Sequence, residues 1–310
     1  MLSLNMEDIV IIGSGIAGYS AAICLNQFLC PFKLISGNYI GGQLNEAPIV
    51  SNYPGVDPNS NGFDLMENIR NQVNLNENNY INDEVIDVDF SDCKNFKLTL
   101  NKNKTILETK SVIITTGKSS NKLNLEKEDI FLGKGISYCA VCDAFLYRNK
   151  VVCVIGGGDS AIKSAIHLSK FAKEIHILVR RDKLRANNKS IELLNNCSNI
   201  IFHYNSTITK IIGNDFVEGI NFIENNIENS IKLDGIFVMI GSKPNSEIFE
   251  KYITLDNDGY IITDMNCETN IKGIFAAGDI QSNTYKQAII AAGNGYLAAT
   301  NAHYFLRNPN

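Results

Sequence analysis

Two glycine turns, each placed between a β-branched run and a helical stretch, constrain this chain more than any other feature. In the first, Ile9, Val10, Ile11 and Ile12 run into Gly13, Ser14, Gly15, Ile16, Ala17 and Gly18. A helical pattern from Tyr19 to Phe28 follows, and then a second strand from Phe32 to Ser36. In the second, a strand from Lys150 to Ile155 meets Gly156, Gly157, Gly158, Asp159, Ser160 and Ala161. A helix from Asp159 to Phe171 and a strand from Glu174 to Val179 complete it. Such a turn lets backbone N–H groups and the helix dipole meet a diphosphate where a side chain would block approach. One match is weak, because tight turns are common. Two matches, each with strand, turn and helix in the required order, point to two dinucleotide sites.

The segments around these units set the domain plan. Between them, Glu84 to Leu107 alternates apolar and polar residues, as in Phe96 to Leu100, and reads as antiparallel strands. A strand from Ser111 to Thr116 then stops at Gly117. After the second unit, Ile208 to Ile223 and Ile231 to Ile240 read as strands, and Gly241 to Asn245 is rich in turn formers. Gly273 to Ala277 is a further buried strand, followed by Gly278, Asp279 and a long helix from about Lys286 to Phe305. The expected architecture is α/β, with two Rossmann-like dinucleotide-binding domains in three layers. Each has a parallel sheet and an antiparallel β-meander, and the second is inserted into the first. Residues 1–116 and 245–310 form the discontinuous domain and 117–244 the inserted one, which agrees with about 150 residues per domain for a chain of 310 residues.

The residues after the second strand of each unit report on the ribose. An acid there takes a 2′-hydroxyl, and basic side chains take a 2′-phosphate. After Val179 come Arg180 and Arg181, with Arg185 close behind, so the second site favours NADPH over NADH. A solvated basic face is the plainer reading, but the chain carries a net charge of −5 and this cluster falls at the ribose position. The first unit has Ser36 and Gly37 there, which leaves its ligand open.

Cys139 and Cys142 have the two-residue spacer that lets two thiols at a helix start close into a disulfide. A zinc half-site would need two more ligands. No second such pair exists, and His167, His176, His203 and His303 show no ligand spacing. The other six cysteines are scattered, so no disulfide framework and no metal are expected. Asp143 follows directly and can exchange protons with a dithiol, its plainer role being a helix cap. Moving the electron pair of a nicotinamide hydride onto a disulfide usually requires a carrier of two electrons, which fits a flavin. Gly278 and Asp279 could hold its ribityl chain, although Gly-Asp alone is more often a turn.

The acidic balance gives no footprint for nucleic acid. Met1 to Asp8 lacks a basic leader, and no apolar run approaches the roughly 18 residues of a membrane span. A soluble, cytoplasmic protein is expected.

Taken in order along the chain, these residues resemble the low-molecular-weight thioredoxin reductases. The likeness rests on Gly13 to Gly18, Gly41 to Leu44, Asn52 to Gly55, Thr115 to Gly117, Cys139 to Asp143, Tyr147 to Asn149 and Gly156 to Ala161. It continues through Arg180 to Asp182 with Arg185, Gly241 to Asn245, and Phe275 to Asp279. The resemblance implies NADPH-dependent thioredoxin-disulfide reduction through FAD, usually by a homodimer, with thioredoxin or a thioredoxin-like protein as partner. FAD would be held by Gly13, Ser14, Gly15, Ala17, Gly18, Ser36, Gly37, Gly41, Gly42, Gln43, Leu44 and Asn52. Thr116, Gly117, Gly278, Asp279, Lys286, Gln287 and Ala288 would complete that site. NADPH would be held by Gly156, Gly158, Asp159, Ser160, Ala161, Arg180, Arg181 and Arg185. Cys142 would face the flavin, Cys139 would attack the partner, and Asp143 would be the acid and base. Phe145, Leu146 and Tyr147 would offer an apolar contact surface. Domain rotation would occur near Gly117 and Gly241. The chain departs from the family pattern at Lys286, commonly Arg, at Lys163 and Ser164, commonly two glutamates, and at Val179, commonly His. A flavin-dependent dithiol oxidase, or a reductase of the same fold with another donor, is the alternative. A flavoprotein without turnover is disfavoured by Cys139, Cys142 and Asp143.

Overall fold

The computed structural model describes residues 6–47, 49–194, 197–282 and 285–307. The expectation for Met1 to Asp8 lies outside the described residues up to position 5. The chain divides into two units: Met1–Ser119 with Lys243–Asn310, and Ser120–Ser242.

In the first unit, β1 (Glu7–Ile12) leads through the glycine turn into α1 (Ile16–Gln27) and β2 (Phe32–Ile35). Then come α2 (Gly62–Val73), β3 (Tyr80–Ile81), β4 (Val85–Asp89), β5 (Phe96–Leu100), β6 (Ile106–Ile114) and β7 (Lys118–Ser120). The second unit contains β8 (Ile136–Ser137), α3 (Ala140–Asp143), β9 (Val151–Ile155), α4 (Asp159–Leu168), β10 (Glu174–Val179) and α5 (Asn188–Leu194). It continues with β11 (Ile200–Tyr204), β12 (Ser206–Gly213), β13 (Val217–Glu224), β14 (Ile227–Lys232) and β15 (Gly235–Val238), and β16 (Ser242–Pro244) runs from its last residue into the first unit. The chain returns to the first unit for β17 (Ile274–Ala276) and α6 (Ala288–Arg307).

The central strands are apolar throughout because both of their faces are covered. In β1, Ile9 and Ile11 join a core with α1, α2 and α6, whereas Val10 and Ile12 join one with β4, β5 and Phe249. The same split recurs in β9. Val152 and Val154 pack toward α4, and Cys153 and Ile155 toward the β12–β13 hairpin. This alternation produces three layers in each unit, as expected.

The sheet of the first unit has the order β3-β2-β1-β6-β5-β4, with β17 also on β6. The sequence reading separated the meander from the strand at Ser111, but β6 is one strand with two roles. Residues 106–109 pair antiparallel with β5, and Ser111 to Ile114 pair parallel with β1. The five strands β11-β10-β9-β15-β8 form a parallel sheet in the second unit, and β12, β13 and β14 form a separate antiparallel one. Helix α6 starts at Ala288, two residues later than expected. It packs on α1 through small residues: a Cβ at Gly295 would lie 2.1 Å from the Ala17 carbonyl oxygen.

Candidate active site and nucleotide cradles

The first glycine turn has two kinds of glycine. A Cβ on Gly18 would sit 2.0 Å from the Gly13 carbonyl oxygen, and one on Gly13 would sit 2.5 Å from that of Thr115, so these two pack the turn against helix and sheet. Nothing lies within 4 Å of a Cβ on Gly15, which is the N-cap of α1 and makes no side-chain cap. The first turn of α1 also holds no acid. Its N–H groups therefore face open space without an anionic competitor, as a diphosphate requires. The second turn repeats the glycine arrangement, although the first turn of α4 holds an acid, Asp159. A Cβ on Gly156 would meet the Met239 carbonyl oxygen at 2.4 Å, while Gly158, the uncapped N-cap of α4, faces open space.

Around the first turn, the structure joins residues far apart in sequence. The Ser14 hydroxyl donates to the Ser36 carbonyl at 2.8 Å and accepts from the Gly41 N–H at 3.2 Å, tying the 41–44 loop to the turn. Gln43 and Leu44 lie in a 3-10 turn, Gln43–Glu46, that follows Gly42. Gly37 is bound to the Asp83 carbonyl through its N–H. The Asn52 amide donates to Gln287 Oε1 at 3.0 Å, one residue before α6. Thr116 donates to the Asn245 carbonyl at 2.8 Å, and the Asn245 amide donates back to the Thr116 carbonyl, also at 2.8 Å.

Asp279 is mostly buried at the end of β17. Burial pushes its carboxyl up, opposed by the cations Lys118, 3.9 Å away, and Lys286. Burial pushes the Lys286 ammonium down, with Asp279 opposing; its Nζ donates to the Gln281 carbonyl and lies 4.3 Å from the centre of the Tyr260 ring. A carboxylate beside two cations remains able to accept hydrogen bonds from hydroxyls. Sequence reasoning missed Gln281, whose Oε1 accepts from the Gly278 N–H at 3.2 Å and the Asn294 amide at 2.8 Å. Its only local signal was a polar side chain just after a buried strand.

In the second unit, Cys139 and Cys142 are joined as a disulfide with Cα atoms 5.3 Å apart. Cys139 is the N-cap of α3, and its Sγ accepts from the Cys142 N–H at 3.2 Å. Helix α3 has only four residues, so few peptide dipoles align behind the thiols, fewer than the expected helix start implied. Val141, between the cysteines, is 60% exposed. Asp143 is 7% exposed, and its Oδ1 has no hydrogen-bond partner among the described residues. Burial pushes its carboxyl up, and a hydrogen bond from Ser137 pulls it partly back. A carboxyl whose proton affinity is raised by burial, in the residue that follows Cys142, is suited to proton exchange with the dithiol. Ser137 was not foreseen, since nothing in its local sequence marks it.

The apolar surface expected at Phe145, Leu146 and Tyr147 is corrected at Tyr147, which the structure buries. Tyr147 is 8% exposed, edge-on to Phe237 at 5.1 Å between ring centres. It fills the space over Gly235, where a Cβ would meet its ring at 2.1 Å. Phe145 and Leu146 are half-buried. Arg180, Arg181 and Arg185 are exposed beyond the end of β10, on the same edge as Gly156 to Ala161. Ser160 is exposed and Ala161 buried. Among the described residues no cluster of three or more candidate metal ligands occurs, and no helix is long and apolar enough to cross a membrane.

Two nucleotide-type cradles and a dithiol pair define a class, the flavin-type disulfide oxidoreductases. The chain belongs to the pyridine nucleotide-disulphide oxidoreductase family, whose sequence pattern matches residues 7–295. Within that family it has thioredoxin reductases among its relatives. It is 39% identical over 314 residues to that of Escherichia coli O157:H7, covering 97% of this chain and 96% of that protein. It is 38% identical over 294 residues to that of Mycoplasma genitalium, covering 94% and 92%. The crystal structure of thioredoxin reductase from Streptococcus pyogenes matches with a TM-score of 0.91 at 30% identity, covering 98% of this chain and 99% of that one.

Proposed function

We propose that this protein is an NADPH-dependent thioredoxin reductase with FAD in the first unit, NADPH in the second, and the Cys139–Cys142 disulfide as the outlet for electrons. The observation that carries the reading is the disulfide, with the buried Asp143 beside it, in a chain that also has two open glycine cradles. The chemistry supplied by FAD and NADPH when bound is the two-electron reduction of that disulfide to two thiols, consuming one hydride and one proton.

The chain's own residues do the rest. The N–H groups at the start of α1 bind the flavin diphosphate, Asp279 orients the ribityl hydroxyls, and the 41–44 loop with Asn52 closes over them. The N–H groups at the start of α4 bind the NADPH diphosphate, and Arg180, Arg181 and Arg185 bind its 2′-phosphate. Once reduced, the Cys139 thiolate attacks one sulfur of the partner's disulfide; that bond breaks, and a mixed disulfide forms. Cys142 then attacks the Cys139 sulfur, restoring their bond and releasing thioredoxin as a dithiol. Asp143 takes and returns the protons that accompany these steps. The exposed Val141 gives the incoming thioredoxin an apolar contact. The working form is a homodimer in the cytoplasm, and the expected domain boundaries at 116–117 and 244–245 fall within three residues of the division at Ser119–Ser120 and Ser242–Lys243.

Anaerobic titration tests this reading. Two equivalents of NADPH, one for the disulfide and one for the flavin, should bleach the flavin absorbance, and added oxidised thioredoxin should restore it. Bleaching by dithionite but not by NADPH would establish another electron donor, the reading that the three arginines oppose.

A further inference from the structure

We propose that Asp159 and Asn187 form a positioning pair that sets the preference for NADPH over NADH, and that neither side chain touches the nucleotide. This inference rests on the assignment of NADPH to the second unit. Asp159 opens α4, in the turn where a diphosphate should meet N–H groups and no anion. Its carboxylate is already engaged: Oδ1 accepts from the Asn187 N–H at 2.9 Å and from the Asn187 side-chain amide at 2.6 Å. Asn187 Oδ1 accepts in turn from the Ser190 N–H at 2.9 Å, fastening the start of α5.

These bonds fix the segment that carries the guanidiniums. The Arg185 N–H donates to the Gly157 carbonyl at 2.7 Å, and the Arg181 carbonyl accepts from the Asn205 N–H at 3.0 Å. Leu184 and Ala186 anchor it to the core of the unit. Both the Arg185 and the Asn187 fastenings reach the glycine turn itself. The 2′-phosphate and the diphosphate belong to one ligand, so arginines indexed to the turn meet both at once. Without the Asp159–Asn187 link, part of the loop must be ordered on binding, and that loss falls on the 2′-phosphate alone.

The two possible roles of Asp159 predict opposite signs. A bystander anion repels any dinucleotide, so Asp159→Ala would tighten NADPH and NADH together. A positioning residue makes Asp159→Ala weaken NADPH and leave NADH alone. Asn187→Ser separates the link from the helix cap, because serine can still accept from the Ser190 N–H but has no amide to donate to Asp159.

The test uses full-length, flavin-loaded protein. KM and kcat are measured with NADPH and NADH, and calorimetry measures binding of 2′,5′-ADP and 5′-AMP. Asp159→Ala should weaken NADPH and 2′,5′-ADP by about tenfold, the scale of one charge-assisted hydrogen bond. Asn187→Ser should weaken them by about threefold, since the backbone N–H of residue 187 still donates. In Asn187→Ser, NADH, 5′-AMP and kcat should be unchanged, and in Asp159→Ala the ratio of NADPH to NADH affinity should fall. Equal weakening of both nucleotides, tightening, or no change overturns the proposal. If Asp159→Ala loses flavin or fold, Asn187→Ser decides alone. Wild-type protein that binds 2′,5′-ADP no better than 5′-AMP overturns the arginine assignment along with the pair; discrimination that both variants keep overturns the pair only.

Discussion

The backbone N–H of Cys139 donates to the Ser137 hydroxyl at 3.0 Å, and the same serine hydrogen-bonds to Asp143. Ser137 thereby links the cysteine proposed to attack the partner to the acid proposed to serve it. Its bond lowers the proton affinity of Asp143 against the larger effect of burial. In Ser137→Ala the Asp143 carboxyl should hold its proton to higher pH. The limb of the thioredoxin-reduction pH profile that reports Asp143 should shift upward by the same amount. A lower kcat with an unmoved limb would reduce Ser137 to a packing role.

Asp143 itself should show a trade between activity and stability. Burial raises its folded-state pKa above the unfolded value of about 3.9. Its stabilising effect is therefore full below the unfolded pKa and is lost as pH rises through the folded one. Asp143→Asn removes the titration. The variant should melt higher than wild type at neutral pH and lose that advantage below about pH 4. Thioredoxin reduction should fall by about 10²-fold, the usual contribution of a positioned acid or base.

The two sulfurs should separate by role. Cys139→Ser retains the sulfur assigned to the flavin side, so NADPH should still bleach the flavin in stopped-flow absorbance. Thioredoxin turnover should drop to background. Turnover that persists would move the attacking role to Cys142.

Gly18→Ala tests the cradle of the first unit. The added Cβ falls 2.0 Å from the Gly13 carbonyl oxygen, which is backbone and cannot rotate away. Destabilisation of about 3 kcal/mol is expected, along with a lower ratio of bound flavin to protein in the visible spectrum. Gly15→Ala, with nothing within 4 Å of the new carbon, should fold normally and lose flavin affinity alone.

Short-range patterns were legible without coordinates. The apolar runs of β1, β9 and β10, the glycine turns after β1 and β9, and the Cys139–Cys142 spacing each lie within a few residues, where backbone sterics and strand periodicity act directly. The burial of Tyr147 was not legible there, because an aromatic residue beside the dithiol fits a docking surface and a core equally well. Packing over Gly235, distant in sequence, decides between them. The double pairing of β6 was hidden for a similar reason: alternation marks a strand but does not name its neighbours.

The sequence by itself determined the local chemistry of this protein: two turns open to diphosphates, three arginines after one of them, and a pair of thiols followed by an acid. Tertiary structure alone decided which side chains hold that chemistry in place. Asp159 meets Asn187 across 28 residues, and Asn52 meets Gln287 across 235. Hydrogen-bond partners that far apart leave no periodic trace along the chain. They exist only once the sheets and helices have brought their backbones together.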